Sequence, residues 1–299
     1  MKVLVLMSTY NGERYLKEQI DSILTQEGIE VHLLIRDDGS SDKTCDILDQ
    51  YSKNHTNIRI VKAENIGFVK SFTKLLELSK TIREEFDYYA FSDQDDVWNS
   101  NKLLTACAHL LAVGNKKPAL FTSNSTLIDA DGRYLGDFHI EYPKYRHGNV
   151  MIYGTEQGCS MVFNKIAVSL YLSKRPSVAY HDRWMFFICY YLGNVIYEHN
   201  KLFKYRLHEA NTLANKKKTL LSRIQFYFSN KRNTNHVETA KEFYESFKDS
   251  LVEDDIILFK NYINYRCHLF SKIYVLTHSE YYPPFPREHF FRMILLNKN

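Results

Sequence analysis

The chain has 299 residues, with 39 Lys and Arg against 35 Asp and Glu, a formal net charge of +4. Apolar residues make up 44% and aromatics 14%, enough to offset chain entropy on burial and exclude a disordered chain, while 11 Gly and 6 Pro exclude a collagen-like one. So mild a charge speaks against a dedicated nucleic-acid binder, and the length suits one large domain with or without an appendage.

Residues 3–7 read as a buried first strand, too short a run for a signal segment. From Tyr15, the apolar set Leu16, Ile20, Ile23 and Leu24 recurs at helical spacing. A second apolar run, 31–35, ends in Arg36-Asp37-Asp38-Gly39-Ser40-Ser41-Asp42, which is turn chemistry. Ser41 or Asp42 then caps a helix carrying Ile47, Leu48 and Tyr51. A third strand at 58–61 leads to the turn Asn65-Ile66-Gly67 and a helix with Phe68, Phe72, Leu75 and Leu76. A fourth, 88–91, runs into Ser92-Asp93-Gln94-Asp95-Asp96; a helix over 103–111 and a strand at 119–122 follow. This alternation predicts an α/β fold with a parallel sheet. Ligands sit beyond the carboxyl ends of such strands. Ser8-Thr9-Tyr10-Asn11-Gly12, Asp37-Asp38, Asn65-Ile66-Gly67 and the acidic run after Ser92 all fall at such ends, so one crevice is expected among them.

Further on, His181-Asp182-Arg183-Trp184 opens a helical run, and Tyr205-Arg206-Leu207-His208 closes the α/β part. The apolar stretch 184–197 is interrupted by Gly193 and Asn194 and is too short to span a bilayer, so a cytoplasmic protein is expected. Residues 211–299 read as a helical C-terminal region, distinct from a catalytic domain over 1–210. Five cysteines with no C-x-x-C spacing exclude a disulfide scaffold or structural zinc site, and most read as small buried hydrophobes.

Three carboxylates in Asp93-x-Asp95-Asp96 repel one another unless a hard divalent cation or helix capping relieves them. Asp38 is either part of an Asx turn or an acceptor for a base or ribose. Asp182 either caps its helix or serves as general base on a hydroxyl. His208 is either a plain surface histidine or a metal ligand. No G-x-x-x-x-G-K-[ST] or G-x-G-x-x-G is present, against an ATPase or a dehydrogenase.

In order, S-T-Y-N-G, D-D-G-S-S-D, E-N-I-G, D-Q-D-D-V-W, H-D-R-W and Y-R-L-H resemble the family 2 glycosyltransferases of GT-A fold, over residues 1–211. The forms look most like the bacterial rhamnosyltransferase-type branch, which builds capsules, O-antigens and cell-wall rhamnans. The resemblance implies that Thr9, Tyr10 and Asn11 line the nucleotide pocket, that Asp38 holds base or ribose, and that Asn65 and Gly67 shape its far side. Asp93 and Asp95 are the D-x-D, with Asp95 and His208 as ligands of Mn²⁺ or Mg²⁺ and Asp93 on the ribose or a metal-bound water. Asp96 either positions the donor sugar or caps the helix. Asp182 aligns with the catalytic base, where many relatives have E-D and this chain has His181-Asp182. Gln157, Gly158 and Trp184 are placed on the acceptor side.

The implied reaction is inverting transfer of L-rhamnose from dTDP-rhamnose to a hydroxyl of a polyprenyl-diphosphate-linked polysaccharide. UDP-galactose, UDP-glucose and UDP-N-acetylhexosamine stay open, because Asp38 need not distinguish thymine from uracil. A nucleotidyltransferase is disfavoured because Ser8-Thr9-Tyr10-Asn11-Gly12 carries neither a Lys nor a G-x-G, and a non-catalytic scaffold because the acidic set is intact. Between Lys201 and Arg232 stand nine basic residues and only Glu209, so that segment is +8 and the rest of the chain −4. It is either a solvated face or a peripheral contact with the anionic inner face of the cell membrane, with the apolar cluster of Phe290 to Leu296 as an added anchor.

Overall fold

The computed structural model describes residues 1–138, 145–153, 157–209 and 231–282, the side chains of 153 and 231–235 excepted. β1 (Lys2–Thr9), α1 (Leu16–Leu24), β2 (Glu30–Asp37), α2 (Thr44–Asn54), β3 (Ile58–Lys62), α3 (Phe68–Ser79) and β4 (Tyr88–Ser92) alternate as expected. After β4 come β5 (Val97–Trp98), α4 (Lys102–Val113), β6 (Ala119–Ile128), β7 (Tyr134–Phe138) and α5 (His147–Tyr153). A 3₁₀ turn (Gly158–Ser160), β8 (Val162–Asn164), α6 (Lys165–Ser173), α7 (His181–Leu192) and β9 (Asn194–Arg206) complete the α/β part. The last described helices are α8 (Lys231–Phe247), α9 (Glu253–Asn264) and α10 (Leu269–Thr277).

The sheet runs β3-β2-β1-β4-β8-β6-β9-β5, with β7 also on β6. β3, β2, β1 and β4 are parallel, and β6 is parallel to β9. The short β8 runs antiparallel to both β4 and β6, and β5 and β7 are antiparallel to their neighbours. Since β8 lies antiparallel to both, β4, β6 and β9 point the same way. The carboxyl ends of β1, β2, β3, β4, β6 and β9 therefore share one edge, and Thr9, Asp37 and Lys62 stand side by side there.

Side chains of a strand alternate between faces. Val3, Val5 and Met7 enter one core with Leu16, Ile20, Ile23, Leu48, Leu103 and Leu110 of α1, α2 and α4. Leu4 and Leu6 enter the other, with Phe72, Leu75 and Leu76 of α3 and nearly all of α7. Because α7 is apolar round most of its circumference, it must be covered on two sides. Phe243 and Phe247 of α8 and Phe259 of α9 supply the outer cover, so these helices share one hydrophobic cluster with the sheet.

Cys107, Cys159 and Cys189 are buried as expected, while Cys45 is half-buried and Cys267 exposed; all five are free thiols. Much of the basic run between Lys201 and Arg232, and the cluster from Phe290 to Leu296, lie outside the described residues. Within that run Lys201 pairs with Asp137 at 2.8 Å. Arg206 is buried, a structural cation and not a surface contact. No described helix is long and apolar enough to cross a membrane.

Candidate active site

The candidate site begins where β1 and β2 end. The Asp37 carboxylate accepts from Thr9 Oγ1 at 2.9 Å, from Ser40 N at 2.9 Å and from Ser40 Oγ at 2.6 Å, closing an Asx turn. Gly39 makes that turn possible: its φ is 81°, and a Cβ there would stand 3.1 Å from Asn65 N. Asp38 is buried and paired with the Arg36 guanidinium, and it accepts from Ile66 N at 2.9 Å and Gly67 N at 2.8 Å. Its carboxylate thus joins the β2 and β3 loops and is already engaged inside the chain. Asn65 is exposed, and its Oδ1 accepts from Gly67 N at 3.1 Å.

Asn11 adopts the left-handed region, with φ 47°, and its Oδ1 accepts from Ser41 N at 2.8 Å. The exposed Tyr10 is held through its backbone: its N–H donates to Gln94 Oε1 at 2.8 Å and its carbonyl accepts from Gln94 Nε2 at 3.0 Å. Gln94 therefore ties the β1 loop to the acidic loop after β4.

In that acidic loop, Asp95 Oδ2 lies 2.7 Å from His208 Nε2, both side chains being partly buried. The His208 ring lies 4.8 Å from the Tyr15 ring. Arg206, at the end of β9, donates through Nε to Asp95 O at 2.9 Å and through Nη2 to Glu18 at 2.5 Å, while its backbone N–H donates to Asp96 Oδ1 at 3.2 Å. Asp96 is buried, and its Oδ2 has no partner among the described residues. Donor atoms of Asp93, Asp96 and Cys159 gather within 4.8 Å of one another.

Burial first, then the Asp95 and Asp182 charges, push the Asp93 carboxyl up to about 7. Asp96 is raised well above the usual range by burial and by Asp95 and Asp93. Beneath them lies Lys102, fully buried, whose Nζ donates to Cys159 O at 2.6 Å and sits 3.3 Å from the Trp98 ring centre. Burial drives its pKa down to about 7, against the opposing pull of Asp96 and Asp93.

A hard divalent cation fits this arrangement. Two ligands of one small cation lie roughly 3 Å apart, since each sits about 2.1 Å from it, and Asp95 and His208 already meet that spacing. Burial and crowding favour the protonated carboxyls of Asp93 and Asp96, and a bound cation would take the place of those protons. Cys159 is a poorer candidate: burial raises its thiol well above the ordinary value, and a protonated thiol is no ligand for a hard cation.

Across from the acids, Asp182 stands in the first turn of α7 and accepts from Arg183 N at 2.7 Å. A Cβ on Gly158 would come within 3.3 Å of Asp182 Cβ and 3.2 Å of His181 Nε2, so glycine is what lets the 3₁₀ turn approach α7. His181 stacks 4.0 Å from Phe72 and lies edge-on to Phe91 at 4.9 Å. Burial pushes its pKa down to about 4, so the imidazole beside Asp182 is neutral. Gln157 is partly buried, and its Oε1 accepts from Ser125 Oγ at 3.4 Å.

Trp184 departs from expectation. It is fully buried, donates through Nε1 to Lys174 O at 2.8 Å and packs against Phe243 and Phe247. A core residue so covered has no surface to offer an acceptor; two residues past Asp182, the helix has turned it inward.

The other expected residues collect along the edge: Thr9 to Asn11, Asp38 and the 65–67 turn on one side, Asp93 to Asp96 with His208 in the middle, Gly158 and Asp182 opposite. Gln94, Arg36, Arg206 and Lys102 also hold the site, and their roles were not read from the sequence. An Arg inside an apolar strand flags Arg36 as needing a buried partner, whereas nothing local distinguishes Lys102 from a solvated lysine in a first helical turn.

A model of the family described as "Glycosyl transferase family 2" matches residues 4–156, about half of the chain. The dTDP-rhamnosyl transferase RfbG of Shigella flexneri is 36% identical over 103 residues, 33% of this chain and 35% of that protein. The chain thus covers little more than a third of the first curated relatives it matches. Among solved structures, S. aureus TarS 1–349 in complex with UDP-GlcNAc superposes with a TM-score of 0.61 at 16% identity, covering 99% of this chain and 79% of that one. Mannosyltransferase PcManGT from Pyrobaculum calidifontis, in complex with GDP-Man and Mn²⁺, gives 0.55 at 13% identity, covering 98% and 73%. The fold is therefore GT-A, and the chain belongs to glycosyl transferase family 2.

Proposed function

We propose that the chain transfers a sugar from a nucleoside-diphosphate donor to a hydroxyl of a polysaccharide under assembly, with inversion at the anomeric carbon. The observation that carries this reading is the closeness of Asp182 to the acidic edge: its charge helps to raise Asp93, and its side chain adjoins Gly158. A carboxylate so placed takes the proton from an acceptor hydroxyl as the oxygen attacks the anomeric carbon. The bond to the diphosphate breaks on the opposite face, and a single displacement inverts the centre. Neutral His181 adds no charge beside the base, which keeps the Asp182 carboxylate free of an imidazolium partner.

The β1, β2 and β3 loops, joined through Asn11, Asp37 and Asp38, would take the nucleoside. Asp95 and His208 would hold Mn²⁺ or Mg²⁺, which when bound withdraws charge from the departing diphosphate. The Mn²⁺ complex of PcManGT supports that choice of ion class. The likeness to a dTDP-rhamnosyl transferase supports L-rhamnose as the donor sugar. A second reading, a UDP-N-acetylhexosamine donor, draws on the fold shared with the UDP-GlcNAc complex of TarS.

Asp182→Asn tests the assignment. Transfer should fall by about 10²–10⁴-fold, the usual contribution of a general base, while calorimetric titration with nucleoside diphosphate and Mn²⁺ stays near wild type. Retention of more than about a tenth of the activity would remove Asp182 from that role.

A further inference from the structure

Among the described residues three arginines are buried: Arg36, Arg206 and Arg183. A buried guanidinium ordinarily keeps a carboxylate beside it. Arg36 has Asp38 and Arg206 has Glu18. Arg183, in the first turn of α7, is 8% exposed and has no such partner among the described residues. Its Nη2 donates to Met151 O at 2.5 Å, and the guanidinium lies 5.1 Å from the Phe187 ring centre. Its Nε is buried and makes no hydrogen bond. A desolvated cation with an idle donor is costly to keep, and an anion offsets both costs at once.

The surroundings leave room for one. Arg183 lines a small hollow together with Val178 and Tyr180, which precede α7, and His236 and Thr239 of α8. The hollow is open on one side, so it admits a terminal group while the body of the bearer stays outside. Three carboxylates stand near it, and none is bonded to the guanidinium. Glu242 is engaged by Ser177 N at 2.6 Å and Val178 N at 3.2 Å. Asp182 accepts from Arg183 N at 2.7 Å, and its charge favours the cationic form of Arg183. Glu238 is exposed on α8 next to Thr239. Their repulsion weakens an anion here, but water screens the exposed Glu238, and a buried fork makes stronger, charge-assisted hydrogen bonds than a solvated one. The planar guanidinium matches the geometry of phosphate and carboxylate oxygens.

We infer that Arg183, with the hollow lined by Val178, Tyr180, His236 and Thr239, is a binding site for a terminal oxyanion, a phosphate or a carboxylate. Arg183 follows Asp182 in the same helical turn, so the bearer of that group is the acceptor, held by its charged end while a hydroxyl meets Asp182. That assignment to the acceptor rests on the proposed function, whereas binding of the anion does not.

The full chain is titrated calorimetrically with sodium phosphate and with sodium acetate, in EDTA and at an ionic strength held constant with sodium chloride. At least one of the two should saturate below about 10 mM, and the tighter one tells a phosphate from a carboxylate. Arg183→Met should weaken that binding by about tenfold or more. Val178→Trp should do the same by filling the hollow, and at a position 44% exposed it leaves the fold intact. Failure of both anions to saturate overturns the inference, and water then serves the Nε. Binding that Val178→Trp leaves unchanged, or that a folded Arg183→Met retains in full, overturns it as well, since the anion then sits elsewhere. Donor hydrolysis by the wild type is measured in parallel: its absence fails the functional reading while the titration still judges the site.

Discussion

The Lys102 ammonium donates to the Cys159 carbonyl at 2.6 Å, with both residues buried and the Trp98 ring 3.3 Å from the nitrogen. One hydrogen bond so fixes the 3₁₀ turn that carries Gly158 to the helix that follows the acidic loop. Lys102→Met leaves the buried carbonyl without its donor and removes a cation that favours the charged form of Asp93. Relief of the desolvated ammonium offsets part of this. The expected loss is about 1–3 kcal/mol of stability and a fall in kcat/KM, read by thermal melting and by single-turnover transfer. An unchanged melting temperature would mean that the turn is held by other contacts.

Gly158→Ala examines the approach of that turn to α7. The added methyl meets Asp182 Cβ at 3.3 Å and His181 Nε2 at 3.2 Å, so Asp182, the proposed base, must shift by a few tenths of an ångström. Misplacing a base lowers kcat with little change in donor KM, by about 10–100-fold. Steady-state kinetics with the donor varied separates this outcome from a binding defect, which would raise KM instead.

Asp38→Ala strands the Arg36 guanidinium, which is buried and loses its carboxylate. Breaking one side of a buried pair costs about 3–5 kcal/mol. The Ile66 and Gly67 N–H groups lose their acceptor as well, so the 65–67 turn loosens. Urea unfolding should show the loss, and nucleotide titration should show weakened binding. Arg36→Met/Asp38→Leu should recover much of the stability and none of the affinity, because it removes the stranded charge but not the loosened turn.

His181 gives the fold an acid-sensitive element. Its pKa is about 4 in the folded chain against an ordinary 6.5, through burial. As pH falls, the unfolded chain takes the proton first. Stability from this group is complete above pH 6.5 and drains between 6.5 and 4, by about 3 kcal/mol in all. His181→Leu should flatten that part of the stability-versus-pH curve in chemical denaturation at a series of pH values. An unchanged acid slope would place the imidazole in contact with water.

Much of the edge was legible because each piece of its chemistry is local. A strand that ends in Asp-Asp-Gly-Ser can close an Asx turn with its own residues, and Asp37 does so with Ser40. The D-x-D run and Asp182 were legible as carboxylates beyond strand ends or at a helix start. Asp38 shows where such reading stops. It has the same side chain as Asp37 and stands next to it, yet its partners are Arg36 and the 66–67 backbone, brought up by a neighbouring strand. Trp184 marks the same boundary: lying in the H-D-R-W motif placed it beside Asp182, while helical rotation placed it in the core.

By itself the sequence determined the alternation of strands and helices, the gathering of polar loops at one sheet edge, and the family, because periodicity and motif order are properties of the chain. It carried no sign that β8 would run antiparallel between β4 and β6, since strand direction depends on how the chain returns to the sheet. It gave no more warning that Lys102 would be buried beneath the acids, or that α10 would turn Phe270 outward. Those outcomes belong to the tertiary structure, because burial is decided by which surfaces meet, and residues distant in the chain supply the meeting surface.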